Sequence, residues 1–159
     1  MTKKLFRRFP AALFFLATLA VAAPDDGMAS STAKRAPVFT PSVLPYPFSS
    51  AVQVGDILYL SGDIGVDASG RALVPGGIVA ETRTMFDRIG ATLQRHGLDF
   101  DDLFKCTVML ADMSEWPAFN AIYAEYFEAG SYPTRSAMGV AGLALGARVE
   151  MECVAWNPQ

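Results

Sequence analysis

The sequence has little of what metal chemistry and histidine-dependent catalysis require. Its 159 residues include one His and only two Cys, which stand far apart in the chain. A closed zinc site with the usual ligands is therefore nearly excluded, as is any mechanism that needs two histidines. The sequence also contains no glycine-rich phosphate-binding motif and no Ser-His-Asp set. We therefore predict a protein without a metal site.

Positive charge is scarce, and much of it lies at the N-terminus. The chain has 13 Lys and Arg against 16 Asp and Glu. Four of the basic residues precede an uncharged apolar run at residues 10–23, namely Lys3, Lys4, Arg7 and Arg8. A basic segment, a short apolar run and an Ala-Val-Ala cleavage pattern at residues 20–22 are typical of a secretory signal peptide. The run is too short to span a bilayer comfortably, so we predict that residues 1–23 are removed.

Cleavage would leave an acidic protein in an exported compartment. Residues 24–159 contain 9 basic and 16 acidic residues, a net charge of −7. This balance argues against nucleic acid as a partner, because binding phosphates requires clustered Lys and Arg. We expect a secreted or periplasmic protein that does not contact the membrane after cleavage. Export permits disulfides, and Cys106 and Cys153 would pair only if their strands are neighbours.

The remaining chain predicts one α+β domain. Residues 24–45 are rich in Pro, Ser, Thr and Ala without an apolar period, so we interpret them as a flexible leader, and residues 46–159 as the folded domain. Short β-prone runs at residues 51–54, 57–61 and 63–67 precede the first helix, and residues 72–74 could form a further hairpin arm. The length suits a single core.

Two helices alternate with three later strands. An apolar stripe at three- and four-residue steps predicts a helix over residues 77–96, which Gly97 ends. A second helix is expected over residues 115–128, and strands over residues 104–110, 134–140 and 148–156. The order βββαβαββ indicates a sandwich in which two helices cover one face of the sheet. The other face must be solvated or buried by a partner.

Arg135 is an isolated cation. It is the only Lys or Arg between Lys105 and Arg148, although that stretch holds four acidic residues. It opens a largely apolar strand after Tyr132. Its guanidinium either forms an ion pair within the chain or binds an anionic ligand, and the sequence alone leaves both interpretations open.

Carboxylates on the last strand are a second candidate feature. Alternation places Val149, Met151 and Cys153 on one face and Glu150 and Glu152 on the other. The glutamates could form a solvated face or supply a general acid or base. Burial of Glu150 would raise the pKa of its carboxyl group towards a useful range.

Six blocks of sequence resemble one protein family. They are PFSSAV (47–52), LSGDI (60–64), KCTVMLADM (105–113), FNAIYAEYF (119–127), YPTRS (132–136) and VEME (149–152). Taken in this order, they resemble the RidA family, also called YjgF/YER057c/UK114 and in older usage endoribonuclease L-PSP. The resemblance covers residues 45–156.

The resemblance implies a fold, an assembly and a site. It implies a chorismate-mutase-like fold and a homotrimer in which the sheets form a central barrel, with three ligand clefts between subunits. Arg135 would bind the substrate carboxylate and Glu150 would position the attacking water. Backbone groups of Ser61 and Gly62 would contact the ligand, and Asn120 matches the family's helix asparagine.

Some positions depart from the family pattern. Phe48 stands where the family has tyrosine, and Tyr46 would replace it only with a shift of two residues. Asp63 replaces a glutamine and adds negative charge near a site for anions. Ala137 replaces a common cysteine. These differences bear on which substrates the site accepts, and Phe48 and Asp63 belong to the predicted substrate-binding set.

The resemblance implies hydrolytic deamination of reactive enamines or imines to 2-oxo acids and ammonia. No metal or organic cofactor would be required. The partner would be a small carboxylate-bearing imine, enamine or 2-oxo acid. The alternatives are a trimer that binds carboxylates or acts like a chaperone without turnover, and a ribonuclease, against which the net charge of −7 argues.

Overall fold

The computed structural model describes residues 36–158. The signal peptide predicted at residues 1–23, and the first part of the predicted leader, lie outside the described residues. Within residues 36–158, the chain forms seven strands and two α-helices: β1 (Val38–Pro41), β2 (Ser49–Val54), β3 (Ile57–Leu60), β4 (Asp63–Ile64), α1 (Gly77–Gln94), β5 (Leu103–Leu110), α2 (Trp116–Tyr123), β6 (Thr134–Gly139) and β7 (Val149–Trp156). The predicted α+β class is confirmed, with β1 added to the expected order.

All seven strands belong to one mixed sheet. The strand order is β1-β2-β3-β7-β5-β6, and the short β4 also pairs with β7. Only β5 and β6 run parallel, because α2 crosses over between them, whereas the other pairs are antiparallel. The last strand of the chain is therefore central, and β6 forms one edge.

Alternation along the central strands determines which face the helices cover. Cys106, Val108 and Leu110 of β5 are buried, and so are alternate residues of β7. They pack against the apolar stripe of α1, which includes Met85, Phe86, Ile89 and Leu93, and against Phe119 of α2. The prediction that both helices lie on one face of the sheet is confirmed.

The first strand corrects the predicted boundary of the leader. Residues 24–45 were expected to be flexible, but Val38–Pro41 pair with β2 in an antiparallel ladder that begins with Val38 opposite Gln53. Pro41 is compatible with this strand because an edge strand does not require every backbone N–H for pairing. The prediction of a leader without structure is therefore wrong for these four residues.

Three other boundaries also differ from the predictions. The strand expected over residues 63–67 is reduced to Asp63–Ile64. The expected arm at residues 72–74 contributes only a single bridge between Val66 and Leu73. The second helix ends at Tyr123 and continues as a 3-10 turn over Ala124–Tyr126. The first helix ends close to the prediction, with Gly97 at a φ of 73° just beyond it.

The face of the sheet opposite the helices is uncovered in the single chain. Several large apolar side chains of this face are exposed: Phe39, Val54, Tyr59, Met138 and Trp156. An exposed strip of this kind is typical of a surface that another protein chain covers. Among the helices of residues 36–158, none combines the length and apolar character that crossing a bilayer requires.

The two cysteines form a disulfide in the core. Cys106 of β5 and Cys153 of β7 lie directly opposite each other in the ladder, and their sulfur atoms are bonded. Both side chains are buried. The pairing that the sequence left open is therefore present.

Candidate active site

Arg135 is held by aromatic and amide groups. It lies on the edge strand β6 and pairs with Cys106, so its side chain points to the helix-covered face. The centre of its guanidinium lies 4.6 Å from the ring centroid of Trp116 and 4.2 Å from that of Tyr123. Its Nη2 donates to Oδ1 of Asn120 at 2.8 Å. Stacking on α2 fixes the guanidinium while leaving it positively charged.

Among the residues that the structure describes, no carboxylate forms an ion pair with this guanidinium. The three ion pairs found among residues 36–158 join Arg83 to Glu125, Arg88 to Asp63 and Arg148 to Glu115. The Nη1 of Arg135 is buried and has no hydrogen-bond partner in the described part of the chain. A buried charged donor without a partner is costly, and a bound carboxylate would satisfy it. Of the two interpretations that the sequence allowed, the structure excludes the ion pair within the described part of the chain.

Five other predicted site residues line one cavity of about 800 Å³. The cavity lies between α1, the segment at residues 42–48 and the junction of β3 with β4. The predicted residues in its wall are Phe48, Ser61, Gly62, Asp63 and Glu150. The structure therefore brings together most of the residues predicted to contact substrate.

Ser61 is anchored to the neighbouring strand. Its N–H donates to the carbonyl of Ser50 at 3.0 Å, and its hydroxyl donates to the carbonyl of Ser49 at 2.6 Å. Both donors are therefore engaged within the chain. Ser61 fixes the path of the turn that carries Gly62 into the cavity wall.

Glu150 reaches the cavity because Gly62 has no side chain. A Cβ atom on Gly62 would overlap the carboxylate of Glu150. Burial raises the pKa of Glu150, and the nearby Glu152 and Asp63 raise it further. The increase in the pKa of Glu150 that we expected from its burial is therefore present. Glu150 is a carboxyl group suited to exchange protons with a bound water.

Asp63 does not add a free negative charge to the cavity. Its Oδ1 accepts a hydrogen bond from Nε of Arg88 on α1 at 2.5 Å and from the N–H of Ile64 at 3.0 Å. The two side chains of the pair are only 19% and 21% exposed. Burial raises the pKa of Asp63, and the contacts with Arg88 oppose that rise. Sequence reasoning missed Arg88, because no local spacing links residues 25 positions apart.

Tyr46 and Phe48 form part of the cavity wall together. Their rings are nearly parallel, with centroids 6.4 Å apart. The hydroxyl of Tyr46 donates to the carbonyl of Gly70 at 3.2 Å. Tyr46 thus lines the same cavity as Phe48. Its hydroxyl group, however, is already bonded to the turn at Gly70.

Arg135 and Glu150 lie on opposite faces of the sheet. Arg135 pairs with the inward-facing Cys106, whereas Glu150 pairs with Met109, which faces outward. Arg135 is accordingly not among the residues that line the cavity. A single chain therefore carries two separate groups of predicted site residues: Arg135 with Asn120, and the cavity with Glu150 and the Ser61–Gly62 turn.

Fold and site define a class of protein: an α+β sandwich that carries an arginine without an ion-pair partner among residues 36–158 and, apart from it, a partly buried glutamate in a cavity wall. Within residues 36–158, no cluster of three or more His, Cys, Asp or Glu side chains is placed to hold a metal ion. The family model described as Endoribonuclease L-PSP matches residues 42–157. The chain belongs to this family, the RidA/YjgF family that the sequence blocks resembled.

Curated relatives and solved structures agree with this assignment. The chain is 46% identical over 109 residues to the 2-iminobutanoate/2-iminopropanoate deaminase of Mus musculus, a match covering 69% of this chain and 80% of the relative. It is 41% identical over 109 residues to the Homo sapiens protein of the same name, a match that covers 69% of this chain and 79% of the human protein. A crystal structure of a Rid-family protein from Yersinia pestis superimposes with a TM-score of 0.70 at 32% identity, covering 76% of this chain and 99% of that one.

Proposed function

We propose that this protein hydrolyses reactive 2-imino acids, the tautomers of 2-amino-2-alkenoic acids, to 2-oxo acids and ammonia. The observation that carries this proposal is the guanidinium of Arg135, which forms no ion pair with a carboxylate of residues 36–158 and has a buried nitrogen without a hydrogen-bond partner among those residues. The names of the mouse and human relatives support the same reaction.

In this reaction Arg135 binds the substrate carboxylate through parallel hydrogen bonds and so orients the imine carbon. Glu150 holds a water molecule and accepts one of its protons as the water oxygen bonds to that carbon. The C=N electron pair moves to nitrogen, Glu150 returns the proton to that nitrogen, and a neutral carbinolamine results. Glu150 then accepts the proton of the carbinolamine hydroxyl and passes it to the amino nitrogen. The C–N bond breaks, ammonia leaves, and the former hydroxyl oxygen becomes the carbonyl oxygen of the 2-oxo acid.

We propose further that the two groups are half-sites, and that one active site combines the Arg135 half-site of one subunit with the Glu150 half-site of another in a homotrimer. Arg135 and Glu150 lie on opposite faces of one sheet, so their cooperation requires a second copy of the chain. The exposed apolar strip on the uncovered face supports an interface there. In a closed ring, each interface would repeat the same pair of half-sites.

The protein is also proposed to act outside the cytoplasm. The basic N-terminal segment, the apolar run and the cleavage pattern of residues 1–23 support this proposal. N-terminal sequencing of the protein recovered from the periplasm or medium tests it. A start close to residue 23 is expected, whereas an intact Met1 in the cytoplasmic fraction contradicts it.

The activity is tested with imines generated in situ. An L-amino-acid oxidase acting on alanine or 2-aminobutanoate supplies the imine, and semicarbazide trapping measures how much of it survives. We expect the protein to lower the trapped imine and to release ammonia faster than water alone does. Arg135→Ala should lose at least about a hundredfold in kcat/KM, and Arg135→Lys nearly as much, because an ammonium lacks the planar pair of donors.

Arg83→Ala is the matched control, because Arg83 forms an exposed ion pair with Glu125 and lines no part of the cavity. It should keep wild-type activity. Light scattering should give the same particle mass for all variants. Full activity in Arg135→Ala would overturn the proposal.

A carboxylate-binding trimer without turnover is the second candidate. It is favoured by Phe48, which lines the cavity without a hydroxyl group. Calorimetric binding of 2-oxo acids, together with unchanged imine decay, would support it. Ribonuclease activity would require RNA cleavage that survives repurification and disappears in Arg135→Ala, and the net charge of −7 after cleavage opposes it.

A further inference from the structure

The cavity beside Glu150 is much larger than the imino acids in the names of the relatives. Its volume is about 800 Å³, whereas a four-carbon imino acid occupies roughly 100 Å³, equal to three or four waters. A substrate of that size would fill only a small part of the cavity that a single chain forms. The volume falls in the range of sites that hold considerably larger ligands.

The walls of the cavity are mainly apolar. Apolar residues from several parts of the chain contribute, including Val43, Leu44, Phe48, Ile89 and Leu145. Apolar walls gain free energy when an apolar group displaces water from them, and the gain grows with the area covered. The cavity is therefore suited to a large apolar group.

One wall of the cavity is fixed by contacts with a turn. The hydroxyl of Tyr46 bonds to the carbonyl of Gly70, and the side chain of Leu44 occupies the space beside the same glycine, where a Cβ atom would overlap it. Gly70 has a φ of 68°, a conformation that favours glycine. The segment at residues 42–48 is thus tied in place and keeps the cavity formed before a ligand binds.

The charges around the cavity favour a neutral occupant. Asp63 and Arg88 neutralise each other in their ion pair. Glu150 would repel an acidic substrate side chain at the point where the reaction occurs. Arg95 also lines the cavity, at the exposed end of α1, where its Nη2 donates to Thr92 Oγ1 at 3.2 Å. The wall thus carries two anionic and two cationic side chains whose charges balance, and the anionic Glu150 is the one assigned to the reacting carbon.

We propose that the preferred substrates are 2-imino acids with a bulky apolar side chain, an aromatic ring above all, and that this side chain occupies the cavity. The inference rests on the proposed function. The reaction is unchanged: water adds to the imine carbon, the C–N bond breaks and ammonia leaves. The cavity determines only which side chain is bound.

The test compares imines generated by an L-amino-acid oxidase from phenylalanine, leucine, alanine and glutamate. We expect kcat/KM to be at least about tenfold higher for the phenylalanine-derived imine than for the alanine-derived one, since each added apolar group contributes to binding. The glutamate-derived imine should be the poorest substrate. An equal or higher value for the alanine-derived imine would overturn the inference.

Ala91 of α1 lines the cavity, so the substitution Ala91→Phe places an aromatic ring inside it. This variant should lose at least about tenfold in kcat/KM for the phenylalanine-derived imine and keep its activity on the alanine-derived one. Gln94→Phe is the matched control, because Gln94 is an exposed residue of the same helix outside the cavity wall. It should leave both values unchanged.

The outcomes separate this inference from the proposed function. If no imine is deaminated, the proposed function fails and the inference fails with it. If imines are deaminated without a preference for large side chains, only the inference fails. An equal loss on both imines in Ala91→Phe also contradicts it, because the ring would then be obstructing a step that all substrates share.

Discussion

Reduction of the Cys106–Cys153 disulfide should destabilise the fold by several kilocalories per mole. The bond joins two residues 47 positions apart in the chain, within the buried centre of the sheet. A crosslink restricts the unfolded chain, and for a loop of this length the entropic model gives about 4 kcal/mol. For a domain of this size, that loss lowers the melting temperature by roughly 15 °C.

The assay is thermal unfolding followed by circular dichroism, with and without dithiothreitol, and with the thiols quantified in both samples. The Cys106→Ala/Cys153→Ala double variant is the control. It should melt near the reduced wild-type protein and should not respond to dithiothreitol. A fully reduced wild-type protein that melts within about 2 °C of the oxidised one would refute the reasoning. Free thiols in the untreated protein would show that the bond had not formed.

Three further predictions concern the cavity. Burial and Glu152 raise the pKa of Glu150. On acidification Glu150 therefore loses its ionised form, which is needed to accept a proton, at a higher pH than an ordinary glutamate does. Glu152→Gln should therefore move the acid limb of the pH profile of kcat to lower pH, and an unmoved limb would contradict the assignment of Glu150. Gly62→Ala should abolish most activity in the deaminase assay at an unchanged particle mass, because its Cβ would displace the Glu150 carboxylate; wild-type kcat would contradict this. Arg88→Ala leaves the Asp63 carboxylate unpaired and should cost roughly 1–3 kcal/mol of unfolding free energy at pH 7. This decrease in unfolding free energy should be smaller at a pH below the pKa of Asp63, because the protonated carboxyl group needs no cation. Urea unfolding of both proteins at pH 7 and at pH 4 measures the decrease at each pH.

The apolar periodicity of the chain was enough to predict the order of the elements and the face that the helices cover. The stripe of Met85, Phe86 and Ile89 packs on the sheet as expected. The strand at Val38–Pro41 was missed because its edge position tolerates residues that are common in loops. Its pairing depends on β2, which no local pattern reveals.

Strand register was the main obstacle to predicting the site. Arg135 and Glu150 were both identified from the sequence, but their positions on opposite faces of the sheet follow from pairings between distant strands. The same pairings place Cys106 opposite Cys153, which the sequence left open. The contact between Asp63 and Arg88 depends on how α1 packs on the sheet, and only the structure shows it.

Mixing two inactive variants tests the shared site most directly. Arg135→Ala and Glu150→Ala are unfolded together in equal amounts, refolded, and assayed for deaminase activity. If each site takes Arg135 from one subunit and Glu150 from the next, random assortment restores both residues in about one quarter of the sites, and about one quarter of wild-type activity returns. If mass spectrometry shows mixed assemblies while activity stays at the level of the separate variants, the account of a site shared between subunits is contradicted.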